Sequence, residues 1–186
     1  MSRIAPLQAP YPAAVQQDFE RIMGPGREPL VLFRTIATQE RAWKKFTAAS
    51  LLDKGPLPMR EREIVIDRTC ARNACEYEWG VHVTAFAAHV KLTEAQVRAT
   101  VLEGPDADCW TEAERVLIAT TDALHERATL SDTEFAALRA HYDEAQILEI
   151  LLLCGFYRTV SYLANGLKLP LEATAARFPK DRAAEA

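Results

Sequence analysis

Between positions 63 and 82 this chain sets a carboxylate, a thiol, a second carboxylate and an imidazole close together: Glu63, Cys75, Glu78 and His82. A thiol can act as a nucleophile, and the acids and the imidazole can carry protons to and from a bound molecule. Counted from Cys75, Glu78 and His82 follow at three and seven positions. At roughly 100° per residue all three lie within an arc of about 60° on one helix face. Thiolate, imidazole and carboxylate also bind zinc, but the spacing fits no standard zinc motif, and no metal or cofactor is expected.

These groups converge only if the chain breaks between them. In one helix from Glu61 through His89, Glu63 would point roughly 120° away from Cys75. Asn73 offers the break, because a short polar residue with Glu76 three positions on is a helix start. Residues 71–73 then end the previous helix, and Glu63 faces the site from that neighbour. Cys75 takes the second position of the new helix, where free N–H groups and the positive end of the macrodipole favour a thiolate, so a lowered Cys75 pKa is expected.

The rest of the chain reads as helices in series. Capping boxes also stand at Thr93 to Gln96, Thr111 to Glu114, Ser131 to Glu134 and Asp143 to Gln146. Apolar residues follow each at helical spacing, and no window alternates with period two, so the fold class is all-α. Gly24-Pro25, Gly55-Pro56, Gly104-Pro105 and Leu169-Pro170 mark turns. Upstream, Pro12 to Met23, Leu30 to Ala37 and Gln39 to Asp53 read as helices, and residues 1–37 form an arm that packs on the core or on a neighbour. Residues 181–186 are expected to fray. The segment from Arg62 to Thr69 echoes that from Glu114 to Thr121, two helices of similar register.

The bulk properties narrow the function. With 186 residues the chain suits one domain with a sizeable core and no need of a staple. A net charge of -4 and no cluster of Lys and Arg give no attraction to nucleic acid or an anionic membrane. No apolar leader opens the sequence, and no later segment reads as a bilayer span, so the expected location is cytoplasmic. Four cysteines at irregular spacing fit a reducing compartment. Cys154 lies in an apolar run and reads as core, and Cys109 as incidental.

The spacing Glu63-x11-Cys75-x2-Glu78-x3-His82, introduced by Arg60-Glu61-Arg62, resembles the signature of the carboxymuconolactone decarboxylase and alkylhydroperoxidase D superfamily. The motif core covers about 58–104, and the helices through Gly166 are compatible with larger members. The resemblance implies an all-α fold, a site on this helix pair, and homo-oligomers whose neighbouring subunits help close the pocket. Peroxidase members carry a second cysteine where Glu78 stands here. The Glu78 and His82 pair is similar to the decarboxylase branch, to which Cys75 is an addition.

Two activities follow as expectations. One is acid-base chemistry by Glu78 and His82 on a small organic acid or lactone, and the other is thiol-dependent reduction of a hydroperoxide through Cys75, with Glu63 as proton relay in either. A third reading is an oligomeric binding protein without turnover. Cys70 could replace the missing thiol only if the break at Asn73 holds, since residues five apart in an intact helix point roughly 140° away from each other.

Each site residue also has a plainer reading: a structural histidine for His82, a solvated carboxylate for Glu78, a salt bridge to Arg60 or Arg68 for Glu63. Tyr77 and Trp79 read as packing residues. Asp122 and His125, three apart on one helix, could extend the site or form a local pair, and His89 and His141 default to structural or solvent roles.

Overall fold

The computed structural model describes residues 2–180, and the fraying expected at 181–186 lies outside them. Among the described residues there are nine α-helices, one short 3₁₀ turn at Gly104–Asp106 and no strand. In chain order they are α1 Ala13–Met23, α2 Val31–Ile36, α3 Glu40–Ala48, α4 Met59–Arg72, α5 Glu76–Phe86, α6 Glu94–Ala99, α7 Glu112–Arg127, α8 Asp132–Arg139 and α9 Glu144–Gly166.

Four of the five expected capping boxes form with both reciprocal bonds, at Thr93, Thr111, Ser131 and Asp143. Each ties the first free N–H groups of its helix to a side chain and so fixes where the helix begins. The helix expected over Gln39 to Asp53 ends at Ala48. Beyond it the carbonyls of Leu52 and Asp53 turn toward the Arg62 guanidinium, at 3.2 and 3.5 Å, rather than continue a helical ladder.

α4 lies at the centre, packed by α5, α7 and α9, and every residue from Arg62 to Cys70 is buried. Arg72 reaches Asp122 of α7 at 3.4 Å, and three shorter ion pairs join the same two helices at a common offset: Arg60 to Glu114 at 2.7 Å, Arg68 to Asp122 at 2.7 Å, and Arg72 to Glu126 at 2.6 Å. In each the partners are 54 residues apart, so the two helices run parallel in one register. The echoing segments therefore pack against each other.

The N-terminal arm packs on the core of its own chain. Phe19 meets Tyr11 and Trp43 edge-on, and the Leu32 N–H donates to the Tyr77 hydroxyl at 3.0 Å. Residues 171–180 then cross the outer side of α5. The Glu172 carboxylate takes the Val31 N–H and the Tyr77 hydroxyl, the Ala176 N–H reaches the Gly80 carbonyl at 3.2 Å, and Phe178 packs on Trp79. A Cβ at Gly80 would stand 2.2 Å from the Ala176 carbonyl oxygen.

One sequence expectation is corrected by α9. Its 23 residues have a most apolar window of mean hydropathy 1.5, which is long and apolar enough to cross a membrane. Half of that window is buried inside the protein, where Ile147, Ile150, Leu153, Tyr157 and Val160 pack. The same composition serves a central core helix.

Candidate active site

The break that positions the site comes two residues later than the sequence suggests. Asn73 does not start α5. It closes α4, with its side-chain amide donating back to the Thr69 carbonyl at 2.7 Å. Ala74 follows at φ 49°, in the left-handed region, and Cys75 is the N-cap of α5 rather than its second residue. Asparagine satisfies either end of a helix, and here bonding back within α4 prevails over a capping box with Glu76, whose carboxylate instead takes the Phe178 N–H at 3.0 Å.

With the chain turned there, α5 lies against α4 and the four residues are placed together. His82 Nδ1 stands 2.7 Å from Glu63 Oε2, and His82 Nε2 stands 3.5 Å from Glu78 Oε1. All four are buried: Glu63 at 1%, Cys75 at 0%, Glu78 at 6% and His82 at 3% exposure. The plainer reading of Glu63 is corrected as well. Its cationic neighbour is Arg62 at 3.1 Å, because Arg60 and Arg68 are drawn to α7.

Burial disfavours a charged His82, but its hydrogen bonds to Glu63 and Glu78 and the charges of both acids outweigh that and raise its pKa to about 10. At neutral pH the ring is an imidazolium held between two carboxylates, and so a proton donor. For Cys75 the balance goes against the expected activation. Burial pushes the thiol up, and the Glu78 charge adds to this. The backbone N–H groups of Glu78 and Tyr77 and the Ser161 hydroxyl pull it down without prevailing. The helix start is there, but the surroundings are too dry for a resting thiolate.

Three residues join the site that the sequence did not single out. Asp67, one turn after Glu63 on α4, is 1% exposed, and burial first, with Glu63 adding, holds its pKa well above the carboxylate range against the pull of His82. Tyr157 of α9 meets the His82 ring edge-on at 5.0 Å, and Ser161, one turn further, lies beside both the Cys70 and Cys75 sulfurs. All three sit in apolar helical context, where only a buried polar residue on a core face could have marked them. Asp67 Oδ1 and Glu78 Oε2 are buried with no hydrogen-bond partner among the described residues.

Asp122 and His125 do not extend the cluster. Asp122 is held by Arg68, while His125 lines a separate cavity of about 220 Å³ with Thr69, Cys154 and Arg158. Tyr77 and Trp79 are packing residues, as their spacing implied. A surface cleft of about 420 Å³ lined by Leu57, Met59, Arg62 and Phe86 lies nearer the site. Phe86 packs on the His82 ring at 5.3 Å and Arg62 on Glu63, so these two side chains stand between the cleft and the buried acids.

Residues 39–122, which hold all four site residues, match the carboxymuconolactone decarboxylase family. That stretch is similar to the carboxymuconolactone decarboxylase family, and the chain as a whole is AhpD-like in fold. Its fold is shared with an uncharacterized peroxidase-related protein with an AhpD core from Ralstonia eutropha JMP134, at TM-score 0.82 and 20% identity over 92% of this chain and 93% of that one. An uncharacterized peroxidase-related protein from Silicibacter sp. TM1040 gives TM-score 0.80 and 21% identity over 96% of each chain. The debrominase Bmp8 gives 0.73 and 20% identity over 92% of each. No curated protein matches the chain. Relative to the family pattern described above, the position of a second cysteine is filled by Glu78, whose carboxylate faces His82.

Proposed function

We propose that this protein is a cysteine-dependent oxidoreductase that reduces organic hydroperoxides, with Cys75 as nucleophile and Glu78, His82 and Glu63 as its proton path. The observation that carries this reading is the double role of Glu78. One carboxylate oxygen faces His82, and the other is buried without a partner at the start of the helix that Cys75 caps. Since the resting sulfur is a thiol, a base must remove its proton, and Glu78 is placed for that.

The thiolate so formed is met by the N–H groups of Tyr77 and Glu78. It attacks the outer peroxide oxygen, the O–O bond breaks, and the His82 imidazolium gives its proton to the departing alkoxide. The products are an alcohol and a Cys75 sulfenic acid. Glu63, itself held by Arg62, keeps the ring oriented and charged. The names of the peroxidase-related neighbours agree with this chemistry. The debrominase, whose cysteine-to-alanine form was captured with 2,3,4-tribromopyrrole, suggests a halogenated aromatic as a second electrophile to try.

A second reading rests on the row Glu63, His82, Glu78, which is complete without sulfur and could perform acid-base chemistry on a small organic acid or lactone. Consumption of cumene hydroperoxide in the presence of a dithiol separates the two. The peroxidase reading expects it in the wild type and its loss in Cys75→Ser. Conversion of a lactone acid that survives Cys75→Ser and disappears in His82→Ala would replace it with the acid-base reading.

We propose a homo-oligomer on similar grounds. α9 leaves Leu148, Leu152 and Tyr162 more than 60% exposed on one side, an apolar stripe that a second copy would cover. Light scattering on the purified chain checks this, and a monomer at micromolar concentration contradicts it.

A further inference from the structure

The turn between α4 and α5 also brings a second thiol to Cys75. The Ala74 N–H donates to the Ala71 carbonyl at 3.0 Å, and the Cys75 N–H to the Cys70 carbonyl at 2.9 Å, with Ala74 left-handed. This pair of bonds is a Schellman turn, in which the residues at the two ends of the longer bond stand together and commonly bring their side chains into contact. Here both ends are cysteines. The divergence expected of an intact helix is removed, because the chain reverses its hand between them. Both thiols are free and fully buried, and the Ser161 hydroxyl of α9 lies beside both sulfurs.

Building on the reading of Cys75 as the nucleophile toward hydroperoxides, we propose that Cys70 is its resolving partner and that the two close a Cys70–Cys75 disulfide in each catalytic cycle. After Cys75 has become a sulfenic acid, the Cys70 sulfur attacks the Cys75 sulfur. The S–S bond forms, the S–O bond breaks, and the departing hydroxide leaves with the Cys70 proton as water. Over the two steps the cysteine pair loses two electrons and the hydroperoxide gains them. An external dithiol returns both electrons and two protons by exchange, itself becoming a disulfide.

The backbone bond at 2.9 Å sets the two residues at the close approach a disulfide requires, a Cα separation of about 5.5–6 Å in most proteins. The pair lies outside the usual two-residue spacing, with the resolving thiol five positions before the nucleophile. That leaves the position three after Cys75 free for the carboxylate of Glu78. Cys109 and Cys154 take no part, since Cys154 faces Thr121 in the cavity beyond α4 and Cys109 lies near the 3₁₀ turn.

The sequence provides a clean readout. Trypsin cuts after Arg68 and Arg72, so Cys70 falls in peptide 69–72 and Cys75 in peptide 73–91. The full chain is treated with stoichiometric cumene hydroperoxide or with diamide, alkylated, digested without reductant and analysed by mass spectrometry. Both oxidants are expected to join the two peptides through a bond that a reductant opens. In Cys70→Ala, peroxide should instead leave a Cys75 sulfenic acid that dimedone traps, and Cys70→Ser serves as a second variant if the alanine form folds poorly.

A wild-type Cys75 oxidised by peroxide while Cys70 remains open to alkylation overturns the pairing and leaves the proposed function standing. A disulfide formed with diamide but no oxidation by peroxide does the reverse, upholding the pair and removing the peroxidase reading. Failure of both oxidants to link the peptides overturns the pairing outright.

Discussion

Along the side of α4 that meets α7, Arg60, Arg68 and Arg72 each find a carboxylate 54 residues further on. Along the side that meets α5, Glu63 and Asp67 face a single imidazole that Glu78 approaches as well, and one oxygen each of Asp67 and Glu78 is left without a partner. The two rows share a helix and the same residue types. The difference lies in saturation. In the outer row every carboxylate is held by a guanidinium, and of its groups only Arg72 Nε is left buried without a hydrogen bond among the described residues. The inner row has three acids against His82 and Arg62, and burial, with the Glu63 charge adding, pushes the Asp67 carboxyl toward its neutral form. Unsatisfied capacity in a buried setting, rather than charge as such, separates the candidate site from a structural clamp.

The comparison is tested hardest by removing one cation from each row. His82→Ala and Arg68→Ala each strip a buried carboxylate of its partner and should each cost about 3–5 kcal/mol by urea unfolding. Activity should divide them. The fraction of Arg68→Ala that remains folded should turn over like the wild type, while folded His82→Ala should not. Equal losses of activity would erase the distinction between the rows.

Next in size is a pH effect confined to the inner row. His82 titrates near 6.5 in the unfolded chain and at about 10 when folded. A raised folded pKa means that its stabilisation is fully present below about pH 6.5 and is lost as pH rises through about 10. Urea midpoints measured from pH 6 to 10 should fall for the wild type and should flatten in His82→Gln.

Much of this was legible in the sequence, and the parts that were not share a cause. Thr93, Thr111, Ser131 and Asp143 announced their helices because a capping box is local, with every partner within three residues. Asn73 carried the same signature and closed a helix instead, since asparagine caps both ends and only the path of the following chain decides. The spacing of Glu63, Glu78 and His82 implied that they would meet, and the structure brings them together. Arg62 was missed as the neighbour of Glu63 because adjacent helical residues diverge, and only its long stem lets the guanidinium fold back. The raised pKa of the Cys75 thiol comes first from burial in the folded core, and no local pattern carries that.

A smaller effect is expected at Asp67. Because its folded pKa lies above the unfolded value, its carboxyl stabilises the fold only at acid pH, fully below about pH 4, and becomes a burden as pH rises. Asp67→Asn, neutral at all pH values, should therefore raise the urea midpoint at pH 8 and lose that advantage below about pH 4. Smallest of all should be Arg72→Ala. This side chain is 31% exposed and pairs with a half-exposed Glu126, so unfolding should register about 0–1 kcal/mol and activity should not change.

The glycine of the site helix sets a different kind of limit. A methyl group at position 80 would meet the Ala176 carbonyl, which is backbone and cannot swing aside as a long side chain would. While residues 171–180 cross α5, this position is closed to evolutionary drift. Conversely, a relative with any larger residue there must route that segment elsewhere and leave the surface over Tyr77 and Trp79 bare. One letter of an aligned sequence therefore tells which proteins of this fold wear the strap.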